Sequence, residues 1–322
     1  MILVVSTEQD IHASEVLKIL NAQGRPVTLL DLSEFPQNLA LTIGFDKTAQ
    51  RRSAILHGTN LGTLDLSTCG VIWWRRPQPF VLHDTVTRSS HRAFAYSESA
   101  EAWAGLWPLL DVFWVNHPVK TDVAGRKLFQ LRVAQEAGLE IPDTCVSNDP
   151  QQVCAFVETH GADKTIYKTF AGTWSAWRET RLLGQSGLEL IDHVQYAPTI
   201  FQEFIEAVCD LRITVIGDKL FPAAIYPQET AYKYDFRMDI VNARIEAVDL
   251  PREVTERLLA LMAQLGLVYG AIDMRLTPDG RYVFLEINPA GEWLFIEKAS
   301  GQPISQALAD LLAAQDDKHL AQ

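Results

Sequence analysis

Apolar and polar positions along this chain switch between a period of two and a period near 3.6, and the switches mark its elements. Residues 2–6 are a short apolar run. A helical pattern through Val16, Leu17, Ile19 and Leu20 follows and stops at Gly24, and a second run occupies residues 27–30. Strand, helix and strand in that order predict an α/β unit with a partly parallel sheet. Residues 39–43 and 54–57 read as further strands, and 70–74 run apolar into the turn Arg75-Arg76-Pro77. Residues 83–110 read as a long helix and 112–115 as one more strand, and Asn116-His117-Pro118 marks the first boundary.

Beyond it, 122–137 has the pattern of an amphipathic helix closed by Gly138, with Pro142 after it. Strands at 144–147 and 165–169, with a helix near 151–159 between them, make a small second unit. From Pro198 onward, 199–204, 211–216, 219–226, 269–276 and 282–287 alternate or run apolar and predict an antiparallel sheet. Helices at 251–265 and 303–312 would cover it, the first with Pro251 in its opening turn. The expected organisation is α/β (α+β): an amino-terminal domain over 1–116, a small central one over 117–196 and a carboxyl-terminal one over 197–322.

Composition narrows the function classes. With 48% hydrophobic and 21% charged residues over 322 positions, the chain has the make-up of a soluble globular protein with more than one core. Its net charge of -12, with no basic run longer than Arg51-Arg52 or Arg75-Arg76, argues against nucleic acid as a partner. Cys69, Cys145, Cys154 and Cys209 have no CxxC spacing and no accompanying histidine cluster, so neither a zinc site nor a disulfide framework is expected, and a reducing cytoplasm fits. No apolar stretch is long enough to span a bilayer, and the first residues read as a strand rather than a signal peptide.

The chemistry gathers in the last third. Residues 271–276, the turn Thr277-Pro278-Asp279-Gly280 and residues 281–288 predict a hairpin, with Asp273 and Glu286 set inside apolar strand runs. A carboxylate there is paired, hydrogen-bonded, metal-bound, or on an edge strand facing water. Glu286 and Asn288 stand two residues apart, so both point to one face of the sheet. Asp273 joins them only if the register or a bulge allows it. Oxygen donors of this kind suit magnesium.

Upstream, Lys127 lies in the helix that begins near Asp122, and Lys168 ends a strand. Each is suited to phosphate, though each taken alone is better explained as a surface lysine, and their value comes from the combination. Gln202-Glu203-Phe204-Ile205-Glu206 followed by Asp210-Leu211-Arg212 is an apolar strand breaking into acidic and then basic residues. Arg212 is either a cationic partner for a substrate carboxylate or the partner of Asp210 or Glu206, and Arg237 either the same or the partner of Asp235. Arg75 and Arg76, after Trp73 and Trp74, are either an anchor for an acidic peptide or the cap of a packed sheet end. His83, His91 and His117 are expected to be structural.

Taken in order, Lys127, Lys168, Gln202-Glu203-Phe204-Ile205, Asp210-Leu211-Arg212, Asp235-Phe236-Arg237, Asp273 and Glu286-Ile287-Asn288 resemble the ATP-grasp ligases, in particular the ribosomal-protein glutamate ligase branch. Trp73-Trp74-Arg75-Arg76-Pro77, Asp273-Met274-Arg275-Leu276 and Asn288-Pro289-Ala290-Gly291-Glu292-Trp293 narrow the resemblance to the microviridin-type peptide maturases, the graspetide synthetases. Two departures accompany it. Ala171-Gly172-Thr173-Trp174-Ser175-Ala176 carries a single glycine where many ATP-grasp enzymes have a glycine-rich flap, and Asp239 stands where the glutamate-ligase branch has an asparagine.

The resemblance implies an ATP-grasp fold with a pre-ATP-grasp domain in front. It also implies ATP and Mg2+, with Asp273, Glu286 and Asn288 on the metal, Lys127 and Lys168 on phosphates, Glu203 and Phe204 at the adenine hinge, Asp210 near the ribose, and Arg212 and Arg237 at the reacting carboxylate. The implied partner is a ribosomal precursor peptide with a leader and an acidic core, and the implied assembly a homodimer. The expected reaction turns Asp or Glu side chains into acyl phosphates that Ser, Thr or Lys side chains of the same peptide attack. Its rivals are an intermolecular carboxylate-amine ligase and a nucleotide-binding regulator without chemistry.

Overall fold

The computed structural model describes residues 1–46, 52–59, 61–170, 180–226 and 243–321. β1 (Ile2–Val5), α1 (Ile11–Ala22), β2 (Val27–Leu30), β3 (Leu39–Phe45), β4 (Arg52–Gly58), β5 (Gly62–Asp65), β6 (Val71–Trp74), α2 (Ser89–Leu106) and β7 (Phe113–Val115) build the first unit. Its main sheet runs β2-β1-β6-β7 with every pair parallel. Residues 2–5 are all apolar because both faces are covered. Ile2 and Val4 meet α1 and a helix from the far end of the chain, while Leu3 and Val5 meet Trp103, Trp107 and the antiparallel sheet β3-β4-β5. The helix expected over 83–110 is shorter, and β5, a four-residue strand that starts on a glycine, carries too little apolar pattern to be read from sequence.

Next come α3 (Pro118–Ala124), α4 (Lys127–Glu136), β8 (Thr144–Ser147), α5 (Pro150–His160), β9 (Thr165–Lys168), β10 (Arg181–Leu182), α6 (Gly184–Leu188) and β11 (Thr199–Glu203). The single helix expected over 122–137 is two, because the chain turns at Gly125 and Arg126 and restarts at Lys127. Strand β11, expected in the carboxyl-terminal sheet, pairs instead with β8 and β9, so the central sheet runs β10-β9-β11-β8. A strand's apolar pattern states that it is buried, not which neighbour it finds, and here Phe201 packs with Val153 and Val157 of α5.

The last unit holds β12 (Cys209–Ile216), β13 (Lys219–Tyr226), β14 (Arg244–Ala247), α7 (Arg252–Leu265), β15 (Tyr269–Leu276), β16 (Tyr282–Asn288), α8 (Leu294–Ser300) and α9 (Ile304–Leu320). Its antiparallel sheet runs β14-β13-β12-β15-β16. One face, with Leu211, Ile213, Ile272, Met274, Phe284 and Ile287, is sealed by α7 and by Val133 and Ala134 of α4. The other face is apolar at one end, where Ile216, Ala223 and Tyr269 share a core with α8, α9 and the parallel sheet. At its other end it is charged. No described helix is long and apolar enough to cross a membrane.

Candidate active site

The charged end is assembled by a bulge. From the turn, β15 and β16 pair Leu276 with Tyr282, Arg275 with Val283 and Met274 with Phe284, and then the register shifts so that Asp273 faces Glu286 and Ala271 faces Asn288. Were the pairing to continue without the shift, Asp273 would face Leu285, and Glu286 and Asn288 would point into the core beneath. With it, Asp273, Glu286 and Asn288 share the face away from α7. Strand β12 lies on the other side of β15 and places Arg212 opposite Asp273 and Asp210 opposite Arg275. Residues directly opposite on neighbouring strands stand with Cβ atoms only about 5 Å apart, so four charged side chains become two ion pairs.

These pairs differ from the ones sequence order suggests. Arg212 Nη1 donates to Asp273 Oδ1 at 2.8 Å, and Arg275 Nε donates to Asp210 Oδ1 at 2.8 Å, so Arg212 is not the partner of Asp210 or Glu206. Burial costs the Arg212 cation, but the Asp273 carboxylate outweighs that cost and holds its pKa above the ordinary arginine value. Lys127, first residue of α4, reaches across to Glu286 with Nζ 2.6 Å from Oε2. Two carboxylates crowded on one face are thereby each neutralised by a cation from another element.

Lys168 belongs to the central sheet, where its Nζ donates to Gln202 Oε1 at 2.9 Å. Glu203 points to the opposite face of β11 and lies with Asp143 and His160, behind the strand as seen from Lys168. Only its backbone is therefore available on the Lys168 side. Phe204 lies under Arg275, whose guanidinium carbon is 4.9 Å from the ring centre, and Arg275 Nη1 also donates to the Ile205 carbonyl at 2.7 Å. Asp210, expected beside a ribose, is buried and pairs with this arginine. In the sequence Arg275 stands only as part of the motif Asp273-Met274-Arg275-Leu276, with no role of its own. Arg237, with Asp235 and Asp239, and the segment 171–176 lie outside the described residues.

The loop that follows Asn288 is clamped from both sides. Arg212 Nη2 donates to the Glu292 carbonyl at 3.0 Å, and Tyr269 Oη to that of Gly291 at 2.7 Å. From the first unit, Asn116 Nδ2 donates to the Pro289 carbonyl at 3.0 Å, and Arg75 Nη1 donates to the carbonyls of Ala290 and, at 3.0 Å, Gly291. A Cβ at Gly291 would lie 2.3 Å from Ala271 Cβ and 2.9 Å from Arg212 Nη2, so only glycine lets the loop come this close. Arg75 is therefore not a free anchor for a peptide. It is buried on the Trp293 ring and paired with Asp10, the cap of α1, while Arg76 pairs with the half-exposed Glu292 at 2.7 Å. His117, read as structural, accepts from Val119 N and caps α3.

Asp273, Glu286 and Asn288 thus share one face of one strand pair, with Lys127 brought to it from α4, and oxygen donors of this kind suit a hard cation. The RimK-like ATP-grasp domain matches residues 124–312, and the MvdD pre-ATP grasp domain matches residues 1–122. The chain belongs to the ATP-grasp ligases. Within them it falls in the microviridin-type branch. The macrocyclase MdnC of Microcystis aeruginosa MRC, solved with its precursor peptide MdnA, is 32% identical, with 97% of this chain and 99% of that one covered and a TM-score of 0.84. A RiPP-associated ATP-grasp ligase of Chryseobacterium gregarium, solved with ADP and a leader and core peptide, is 26% identical, with 98% and 96% covered and a TM-score of 0.88. The probable alpha-L-glutamate ligase 2 of Shewanella amazonensis (strain ATCC BAA-1098 / SB2B) is 25% identical over 221 residues, 66% of this ATP-grasp chain and 72% of the relative.

Proposed function

We propose that this ATP-grasp ligase closes rings in a ribosomally made precursor peptide, joining Asp or Glu side chains to Ser, Thr or Lys side chains of the same peptide as esters or amides. The observation that carries this is the bulged hairpin, which puts Asp273, Glu286 and Asn288 on one face beside Arg212 and Lys127. A peptide carboxylate oxygen attacks the γ-phosphorus of ATP, and the bond to the β-phosphate oxygen breaks, releasing ADP. The acceptor oxygen or nitrogen then attacks the acyl carbon, phosphate leaves, and the acceptor's proton passes to solvent or phosphate. The peptide loses one water for each ring.

Asp273, Glu286 and Asn288 would hold Mg2+, which supplies charge neutralisation between ATP phosphates. Lys127 exchanges Glu286 for a phosphate, and Lys168 meets a phosphate from the central sheet. The backbone of Glu203 and Phe204 lines the adenine, with Asp210 near the ribose and paired with the Arg275 that holds this hinge. Arg212 and Arg237 steady the acyl phosphate, for which a planar cation is suited. The leader and acidic core are bound by a cytoplasmic homodimer, without nucleic acid or membrane.

Purified protein incubated with ATP, Mg2+ and candidate peptides is the test. Loss of water from the peptide with release of ADP is expected, whereas release of AMP overturns the acyl-phosphate route. The similarity to glutamate ligases favours a second reading, transfer of an amino acid to a protein or small acid, and then mass is gained. A regulator without chemistry would bind peptide while Glu286→Gln changed no ATP-dependent reaction.

A further inference from the structure

Gln130 lies one turn after Lys127 on α4, among apolar neighbours, and is 3% exposed. A polar side chain buried on the inner face of a helix needs partners, and this one finds three. Its Nε2 donates to the Ile287 carbonyl at 2.8 Å and to the Ala124 carbonyl at 2.6 Å, and its Oε1 accepts from Ile287 N at 3.1 Å. Both polar groups of Ile287 are thus held by one amide. Strand β16 is the edge of its sheet, so the amide does there what a neighbouring strand would do. Ile287 is the residue between Glu286 and Asn288.

We propose that Gln130 is a positioning residue for the metal site: it fixes the peptide units that carry Glu286 and Asn288, and α4 thereby addresses the strand twice, through the Lys127 side chain and through this backbone clamp. Gln130 touches no reacting atom. Its effect is on the orientation of two donors, which hydrogen-bonded partners behind metal ligands help to set. The inference rests on the assignment of Glu286 and Asn288 to metal.

The test replaces Mg2+ by Mn2+ and follows its binding to the protein with ADP by electron paramagnetic resonance, a readout independent of turnover. Gln130→Met keeps length and burial and removes all three hydrogen bonds. We expect Mn2+ affinity to fall by about 10-fold or more, in the range typical of lost partners behind metal ligands, and ring formation to recover as metal concentration rises. Gln130→Glu, which still accepts from Ile287 N but opposes two carbonyls, is expected to weaken Mn2+ as well, and decides the matter if Gln130→Met does not fold. Folded Gln130 variants with Mn2+ affinity within about twofold of the parent would overturn the proposal. Glu286→Gln is run beside them: if it too leaves Mn2+ binding unchanged, the metal assignment itself fails.

Discussion

Two groups of ion pairs flank the loop 289–293, one at the carboxyl ends of β1 and β6, the other on the polar face of the last sheet. In the first, the side chains of Arg75 and Asp10 are 1% and 3% exposed, and the arginine is shared with loop carbonyls and Trp293. In the second, Lys127 and Glu286 remain 26% and 25% exposed. The parallel sheet's order reverses between β1 and β6, the crevice where open α/β sheets receive ligands. Here that crevice is filled by the protein's own loop. The same chemistry thus serves as a buried joint where water is excluded and as a part-exposed pair that water can reach.

The largest effect should come from breaking the joint. Arg75→Ala leaves Asp10 buried without its cation and should lower stability by about 3–5 kcal/mol, measured by urea unfolding. A loss below about 1 kcal/mol would place both groups in one class. Glu286→Gln should do the reverse, cutting ring formation by about 10²–10³-fold while the unfolding midpoint stays near that of the parent, because the lysine it abandons is accessible to water. A collapse in stability would break the contrast.

Acid tests the joint more gently. Burial, and then the charge of Arg75, push His12 down from 6.5 to about 4. The folded protein refuses a proton that the unfolded chain accepts. His12 therefore costs nothing above pH 6.5, and stability falls as pH drops from 6.5 towards 4, by about 3 kcal/mol at most. His12→Gln should flatten the stability profile in that window and nowhere else. For Asp10, burial raises the pKa, but Arg75, Ser6 and the His12 amide together hold it below 3.8, so its contribution is lost only at lower pH. The smallest effect belongs to Arg76→Ala, which breaks the half-exposed pair with Glu292 and should shift stability by less than about 1 kcal/mol.

Much of the site could be read in the chain because period two is a strong rule. Glu286 and Asn288 share a face in any strand, and two carboxylates inside apolar runs already demanded partners. Asp273 could not be placed, since an extra residue such as Leu285 leaves no mark in composition. Nor could the partners of Arg212 and Asp210 be read, because cross-strand neighbours are set by register, and sequence proximity suggested each other. Gln130 did leave a trace, a polar residue on the apolar side of α4, yet its target is 157 positions away. For the fold, the parallel unit and most strands were legible from runs and turns. The sheet that claims β11 was not, and neither was the break between α3 and α4, where one glycine ends a pattern that would otherwise continue.

The hairpin consists of two reading frames spliced at Leu285. On the turn side of the splice, odd and even positions have one meaning, and on the far side they exchange it. Residues inserted at 278–280 lengthen a solvent-facing tip without disturbing either frame, which makes that tip a suitable place to graft a tag or a probe. Deleting Glu286 has no such freedom: it turns Asn288 into the core and Ile287 out to the charged face. Length variation across this hairpin should accordingly be confined to one side of one residue.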